Sequence, residues 1–252
     1  MTTRYDCALN GIALSSLSAA IHVTDVTELP PVQRVAAVPT ARHGLKLLRR
    51  VRERLTLHVS FIIHEYDPAA RRSVLQSVYA WAEQGGLLTV SDRPSQQLQV
   101  ECDTLPGMSA LGWLDEMTLS FTAWETPFWE AALRTAVTTG DNATLLLPGT
   151  ADDVPVSCAV VNLGDGPLTA LTLAVGDTAI TLEDMAVAPG GSVEVIADAG
   201  PLQIRSGSAS LMHLRTGASH DLLTADSSVE TAVTVTADQP VSAVFSARGR
   251  YL

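Results

Sequence analysis

The sequence predicts two domains of different fold class. The first is an α+β domain, in which an antiparallel β-sandwich carries one α-helix and a long β-hairpin, and the second is an all-β sandwich or jelly roll. Residues 55–63 alternate apolar and polar side chains, as a strand with one buried face does. Residues 67–86 then change to helical spacing. Beyond about residue 136 short strand-like runs are separated by glycine and proline turns, without helical periodicity.

Length and composition support a folded protein with two cores. The chain has 252 residues, of which 46% are hydrophobic and 17% charged. No apolar run approaches the ~20 residues that cross a bilayer, and the N-terminus has no signal-peptide pattern, so we expect no membrane insertion and folding in a cytoplasm. We assign residues 1–130 and 136–252 to the two domains, with the change between Glu130 and Ala143.

The predicted helix has clear start and stop signals. Asp67 is a good N-cap residue, Pro68 suits the first helical position, and Gly85-Gly86 ends the helix after about five turns. Apolar residues from Val74 to Ala82 recur at helical spacing. We expect this stripe, with Trp81 buried in it, to pack on the strand at 55–63.

The other strands of the first half are short and antiparallel. Asn10-Gly11 is a hairpin-turn signal. Residues 32–54 are predicted to form one long hairpin that turns between Pro39 and Gly44. The remaining predicted strands cover 4–9, 12–14, 21–26, 87–90, 98–102 and 117–123.

The second half is predicted to contain nine strands and no helix. Turn sequences such as Gly164-Asp165-Gly166-Pro167 and Pro189-Gly190-Gly191 separate them. The predicted strands cover 143–147, 156–161, 171–175, 178–182, 192–196, 202–205, 210–214, 229–236 and 241–247.

Charge is unevenly distributed along the chain. Of the net charge of −11, only −2 lies before Thr135 and −9 follows, which argues against nucleic-acid or anionic-membrane binding by the second half. Residues 42–54 form a local basic run of five arginines and one lysine, opposed only by Glu53. Such a run is typical of a solvated hairpin, and it also suits an interface.

Searches for catalytic, cofactor and metal motifs give no candidate. Phosphate loops, nucleophile elbows and zinc-binding helices are absent from the sequence. His58 and His64 share a strand face but lie ~20 Å apart, too far for one metal ion, and the other histidines are interpreted as isolated. The acidic pairs Asp152-Asp153 and Glu183-Asp184 are interpreted as solvated loop residues rather than parts of a calcium site.

Two further groups of residues have a structural interpretation. Cys7, Cys102 and Cys158 show neither metal spacing nor a disulfide framework, so we expect small buried hydrophobes. The aromatic run from Trp124 to Glu130 holds Trp124, Phe128 and Trp129. We favour a hydrophobic plug at the domain edge over a ligand-stacking platform.

The order of these motifs over residues 5–130 resembles the N-terminal domain of the siphophage distal tail protein family. Asn10-Gly11 follows a first strand, and a basic hairpin leads through His43-Gly44 into a long alternating strand. The helix then ends with Tyr79-Ala-Trp81, a short strand is followed by Asp92-Arg93-Pro94, and the half closes with Thr126-Pro127-Phe128-Trp129. The second half has the size and texture of the galectin-like or jelly-roll domain of many members.

The resemblance implies a structural virion protein without catalytic residues. Family members close into a hexameric ring at the end of the tail tube, join the tube to the tip hub and adsorption proteins, and let the genome pass. The implied partners are further copies of the chain, the tail tube protein and the hub protein, and the implied location is the virion tail tip after assembly in the host cytoplasm. We hypothesise that one group of cations contacts the neighbouring subunit: Arg42, Lys46, Arg49, Arg50, Arg52 and Arg54.

Two alternatives belong to other functional classes. One is a carbohydrate-binding β-sandwich that acts in host adsorption, although the second half offers only Phe245 and Tyr251 as aromatic side chains. The other is a hydrolase with dispersed carboxylates, a geometry that a sequence does not display.

Overall fold

The structure is a computed structural model that describes residues 5–29, 33–37, 46–51, 54–107, 116–140, 142–197, 200–217 and 219–251, with only the backbone between 29 and 53. Two compact units divide it, Met1–Trp129 and Glu130–Leu252. The assignment of independent domains with a boundary between 130 and 143 stays a prediction.

The first unit is a set of antiparallel strands with one α-helix in its described residues. The strands follow the order β3-β6-β9-β8-β7-β1-β2, and β4 pairs with β5 as a separate hairpin. The elements are β1 Cys7–Leu9, β2 Ile12–Ala13, β3 Ile21–Leu29, β4 Gln33–Ala37, β5 Lys46–Val51, β6 Leu55–Ile63, α1 Pro68–Ala82, β7 Gly86–Val90, β8 Gln96–Thr104 and β9 Met117–Ala123.

Strand β6 is the centre of this unit, and its predicted alternation is confirmed. Every second residue from Leu55 to Ile63 is buried, and the residues between them are half-buried. Strands β3 and β9 pair with its two edges. On its outer face, hydroxyl pairs join β6 to β9, with Thr56 and Thr122 oxygens 3.4 Å apart. The inner face is therefore the apolar surface that another element must cover.

Helix α1 is confirmed, two residues shorter than predicted. The Asp67 carboxylate accepts hydrogen bonds from the backbone N–H groups of Ala69 and Ala70, each at 3.2 Å. Gly85 has φ +57°, the left-handed conformation in which a helix commonly ends. The buried stripe also contains Arg71, 2% exposed, whose guanidinium donates to the Glu65 carbonyl. Sequence reasoning missed this arginine because the buried stripe was identified from apolar residues, and a charged residue on the same side of the helix does not count toward it.

The C-terminal end of α1 is locked to the first hairpin. The Trp81 indole N–H donates to the Ile12 carbonyl at 2.9 Å, and its ring meets Phe121 edge-on, with centroids 6.0 Å apart. The Asn10 amide donates to the Gly85 carbonyl at 2.8 Å and accepts from the Leu87 N–H at 3.0 Å. The ring contact of Trp81 is thus with β9, one strand over from the predicted partner β6.

The glycine after the helix makes this lock possible. At Gly86, φ is +117° and an added Cβ would lie 2.2 Å from the Asn10 side chain. The two signals that the sequence gives separately, the Asn10-Gly11 turn and the Gly85-Gly86 stop, therefore meet in space.

The second unit contains two main β-sheets. One follows the order β18-β17-β16-β13-β21-β10, the other β11-β20-β14-β15, and β12 pairs with β19. The strands are β10 Trp129–Thr138, β11 Ala143–Leu146, β12 Val154–Pro155, β13 Ser157–Asn162, β14 Leu171–Val175, β15 Thr178–Leu182, β16 Ser192–Ile196, β17 Gln203–Ser206, β18 Ala209–Ser210, β19 Thr224–Ala225, β20 Glu230–Ala237 and β21 Val241–Tyr251. Alternate residues of both main sheets are buried, as in a sandwich. The more specific prediction, a galectin-like sandwich, stays a prediction.

The strands predicted for this half omit β10, β12 and β19, and one of the predicted strands is wrong. The strand predicted at 210–214 ends at Ser210, and Met212–Leu214 form a 3₁₀ turn. Strand β10 was not predicted, since its burial pattern changes phase between Ala131 and Ala136 and so shows no period of two. Within the described residues, no helix is long and apolar enough to span a membrane.

The free edge of β15 is covered by the segment after the 3₁₀ turn. The N–H groups of Thr216 and His220 donate to the carbonyls of Thr181 and Ala179 at 3.0 and 2.8 Å. The hydroxyl of Ser219 accepts from the Thr181 N–H at 2.9 Å. An edge with its polar groups satisfied does not recruit foreign strands.

Limited proteolysis tests the domain boundary. We expect subtilisin to cut first within 139–143 and to leave a stable fragment on each side, because β10 is a paired strand up to Thr138 whereas the chain bends at 139 and 140. Mass spectrometry of the first fragments locates the cut. Early cleavage within 55–86, with 139–143 intact, would contradict the assignment.

Denaturation of tryptophan variants tests the helix lock. Trp81→Ala should lower the free energy of unfolding by roughly 3–5 kcal/mol, because it removes a buried ring and its hydrogen bond. Trp124→Ala is the matched control, since the Trp124 side chain is 48% exposed, and it should cost no more than about 1 kcal/mol. Equal losses from the two variants in urea would show that α1 does not depend on Trp81.

Candidate functional site

The backbone of the predicted basic hairpin is present. Antiparallel pairing of β4 with β5 sets Arg49 opposite Val35 and Arg50 opposite Arg34. Lys46 opens β5, whereas Arg42 and Arg52 lie outside the described residues. The side chains of this hairpin are outside the description too, so its proposed interface role stays a prediction.

Arg54, the last cation of the group, is described and stacks on Trp124. Its guanidinium carbon lies 5.3 Å from the centroid of the indole ring, within the range of a cation–π contact. Both side chains are exposed, and Trp124 retains 48% of its accessible surface. Sequence reasoning placed Arg54 at a possible interface and Trp124 in a plug, and the structure brings the two together.

The interpretation of residues 124–130 as one hydrophobic plug is wrong. Trp129 is 1% exposed, with the Arg93 guanidinium 5.2 Å from its ring centroid, and Phe128 is half-buried. Trp124 directly follows the last residue of β9 and points to solvent. The spacing of the aromatic residues in the sequence does not reveal that the chain changes direction between Trp124 and Trp129.

A shallow pocket of about 170 Å³ lies beside Trp124. Glu101 on β8 and Glu125 are exposed parts of its lining, and the buried Thr122 also lines it. The Thr122 hydroxyl donates to the carboxylate of Asp103. Two carboxylates thus line the pocket beside the exposed Trp124 ring, and a third, that of Asp103, accepts from Thr122 of the lining. The alternation of Gln99, Glu101 and Asp103 along β8 is the sequence signal that could have placed them on one face.

The histidines are less isolated than the sequence suggests. His22 and His64 have ring centroids 4.5 Å apart with an interplanar angle of 47°. The register of β3 on β6 sets His22 opposite Ile62, so His64 lies two residues further along the same face, and a backbone bond from His64 to Ala20 continues the pairing. In the described ranges no three His, Cys, Asp or Glu side chains converge as a metal site.

The two acidic pairs lie in turns. Asp153 and Asp184 have φ of +56° and +58°, the left-handed region that Asp tolerates in turns. The Asp153 N–H donates to the Asp226 carboxylate at 3.0 Å. The acidic pairs therefore stabilise turns of the backbone.

The three cysteines are free thiols, and two of them are core residues. Cys7 and Cys158 are 2% and 3% exposed, as expected of small hydrophobes, whereas Cys102 is half-buried. Burial raises the pKa of Cys158 to about 12 and raises the pKa of Cys7 as well. The pKa of Cys102 is also raised, chiefly by burial and further by Asp103 and Glu83. Near neutral pH these thiols are protonated and weakly nucleophilic.

The aromatic residues of the second unit do not form a sugar-binding platform. Phe245 is 0% exposed, within the core, and Tyr251 is half-buried at the end of β21. These two aromatic residues therefore do not support the carbohydrate-binding alternative.

Comparison with solved structures gives a match over nearly the whole chain. The SPP1 Dit (gp 19.1) protein, described as a paradigm of the hub adsorption apparatus in phages that infect Gram-positive bacteria, aligns with a TM-score of 0.69 and 14% identity over 98% of this chain and 99% of its own. A chain of the phage P2 baseplate in its activated conformation aligns over 99% of this chain and 98% of its own, with a TM-score of 0.47 and 7% identity. No family model and no curated protein matches the sequence. The chain has the fold of SPP1 Dit, so the predicted resemblance is confirmed at the level of the fold.

Thiol labelling tests the burial of the cysteines. At pH 8 the native protein should react with a disulfide reagent at Cys102 alone, and Cys102→Ser should abolish that reaction, because Cys7 and Cys158 are buried. Their raised pKa values mean that the folded chain holds these protons more tightly than the unfolded chain, so stability should fall as pH rises above 9.0. Rapid native labelling of all three thiols would contradict the structure.

Proposed function

We propose that the protein is a structural component of a siphophage tail tip, a distal tail protein that forms a ring at the end of the tail tube. The observation that supports this is the shared fold with SPP1 Dit across 98% of the chain, including both compact units. The order of motifs over residues 5–130 supports the same family independently of that alignment.

In this role the ring joins the tube to the hub and adsorption apparatus, and the genome passes through it. The partners are other copies of the chain, the tail tube protein, the tip hub protein and adsorption proteins. The protein resides in the virion after assembly in the host cytoplasm. We assign it no catalytic role and no cofactor.

The charge of the chain is compatible with a passage for DNA. A net charge of −11 repels phosphate, so a ring of such subunits does not hold DNA by the cation contacts on which non-specific binding depends. The local basic run at 42–54 is the exception, and we place it at a contact between subunits, where carboxylates neutralise it.

A ring also sets a geometric requirement. Cyclic assemblies other than a two-fold dimer are built from heterologous contacts, so each subunit needs two different and complementary patches. We assign the hairpin of β4 and β5 to one of them, because it carries the densest run of cations in an acidic chain.

Light scattering and electron microscopy test the proposal. The purified protein, alone or with its tube and hub proteins, should assemble to six times the 26.6 kDa of one chain and appear as a six-fold ring. Antibody labelling of virions should mark the tail tip. A protein that stays monomeric with and without these partners would overturn the ring, and labelling elsewhere on the virion would overturn the location.

A further inference from the structure

We infer that the surface around Trp124 receives the basic hairpin of a second copy of the chain. This Trp124 surface consists of Trp124, Glu101, Glu125 and Asp103, with Arg54 of the same chain at its side. The inference rests on the proposed ring and deepens it, because it names the patch that the hairpin contacts.

The first reason is the state of Trp124. One side of its ring is near the Arg54 guanidinium, and 48% of the residue remains accessible beside a concave pocket. Tryptophan and arginine are the residues most enriched among those that dominate binding energy at interfaces. An indole offers a second face to another guanidinium, and that stacking strengthens when water is excluded.

The second reason is charge complementarity. Glu101, Asp103 and Glu125 are all exposed, and Arg54 is the one cation among the residues that define the surface. The hairpin segment supplies the opposite sign, with five cations at 42–52 and no carboxylate among them. Arginine pairs carboxylates with two parallel hydrogen bonds and also stacks on aromatic faces, so one residue type satisfies both features of the surface.

The third reason identifies the occupant as a second copy. Arg54 lies three residues after β5, so the base of a chain's own hairpin already lies beside its own Trp124. The six residues of β5 extend for ~20 Å along a paired strand, so Lys46 at the start of β5 lies away from the Arg54 and Trp124 of its own chain. A heterologous ring contact supplies the missing partner, since each subunit then gives its hairpin to one neighbour and its Trp124 surface to the other.

Charge-reversed variants test this assignment. The receptor variant E101K/E125K and the hairpin variant R42E/K46E, which reverses the cations furthest in sequence from Arg54, should each fold as the wild type does by circular dichroism. Each should be monomeric by light scattering, because like charges meet at every contact. Mixed in equal amounts, the two should recover the ring of six times 26.6 kDa, because an unchanged hairpin meets an unchanged surface at every second contact and a reversed hairpin meets a reversed surface at the others. E183K/E230K is the matched control, with the same change of charge at exposed positions of the second unit, and it should still form the ring.

The outcomes separate this inference from the proposed function. A monomeric wild type removes the ring and this contact together. A wild-type ring with a receptor variant that also forms the ring overturns the inference and leaves the ring standing. A mixture that stays monomeric shows that the two patches do not contact each other. If the reversed variants misfold, Trp124→Ala and E101Q/E125Q serve instead, and unchanged assembly in both overturns the inference.

Discussion

The first unit depends on covering the apolar face of β6. A nine-residue strand with five buried side chains cannot leave that face in water, and helix α1 lies over the sheet that contains it. What fixes the helix is polar: Trp81 donates to Ile12, and Asn10 bonds on both sides of Gly86. Each bond satisfies a group that helix docking would otherwise bury without a partner. The pocket beside Trp124 therefore rests on a rigid base, since β8 and β9 belong to the same sheet.

The second unit meets the same requirement without a helix. Two sheets bury alternate residues, and the segment at 216–220 satisfies the free edge of β15. In the ring proposed above this would favour specific assembly, because open strand edges pair indiscriminately whereas side-chain patches select a partner.

Local signals in the sequence predicted much of the fold. The bounds of β6, β9, β14, β15 and β16 follow from alternation, and Asp67 and Gly85 mark the ends of α1 through their own backbone chemistry. The failures involve information that is not local. The burial of β10 changes phase along the strand, and the His22–His64 contact depends on the register of β3 against β6. For the candidate site, sequence reasoning found Arg54 but misplaced Trp124, because the direction of a loop after a strand has no periodic signature.

The lock between Asn10 and the end of the helix joins residues 75 to 77 positions apart in the chain. On the ribosome, at ~5–20 residues per second, those residues are made several seconds apart. During that interval β3 and β6 can pair, but the other edge of β6 waits for β9, and its apolar face waits for the helix. The nascent chain therefore exposes the stretch most prone to aggregation for the time it takes to synthesise about 60 further residues.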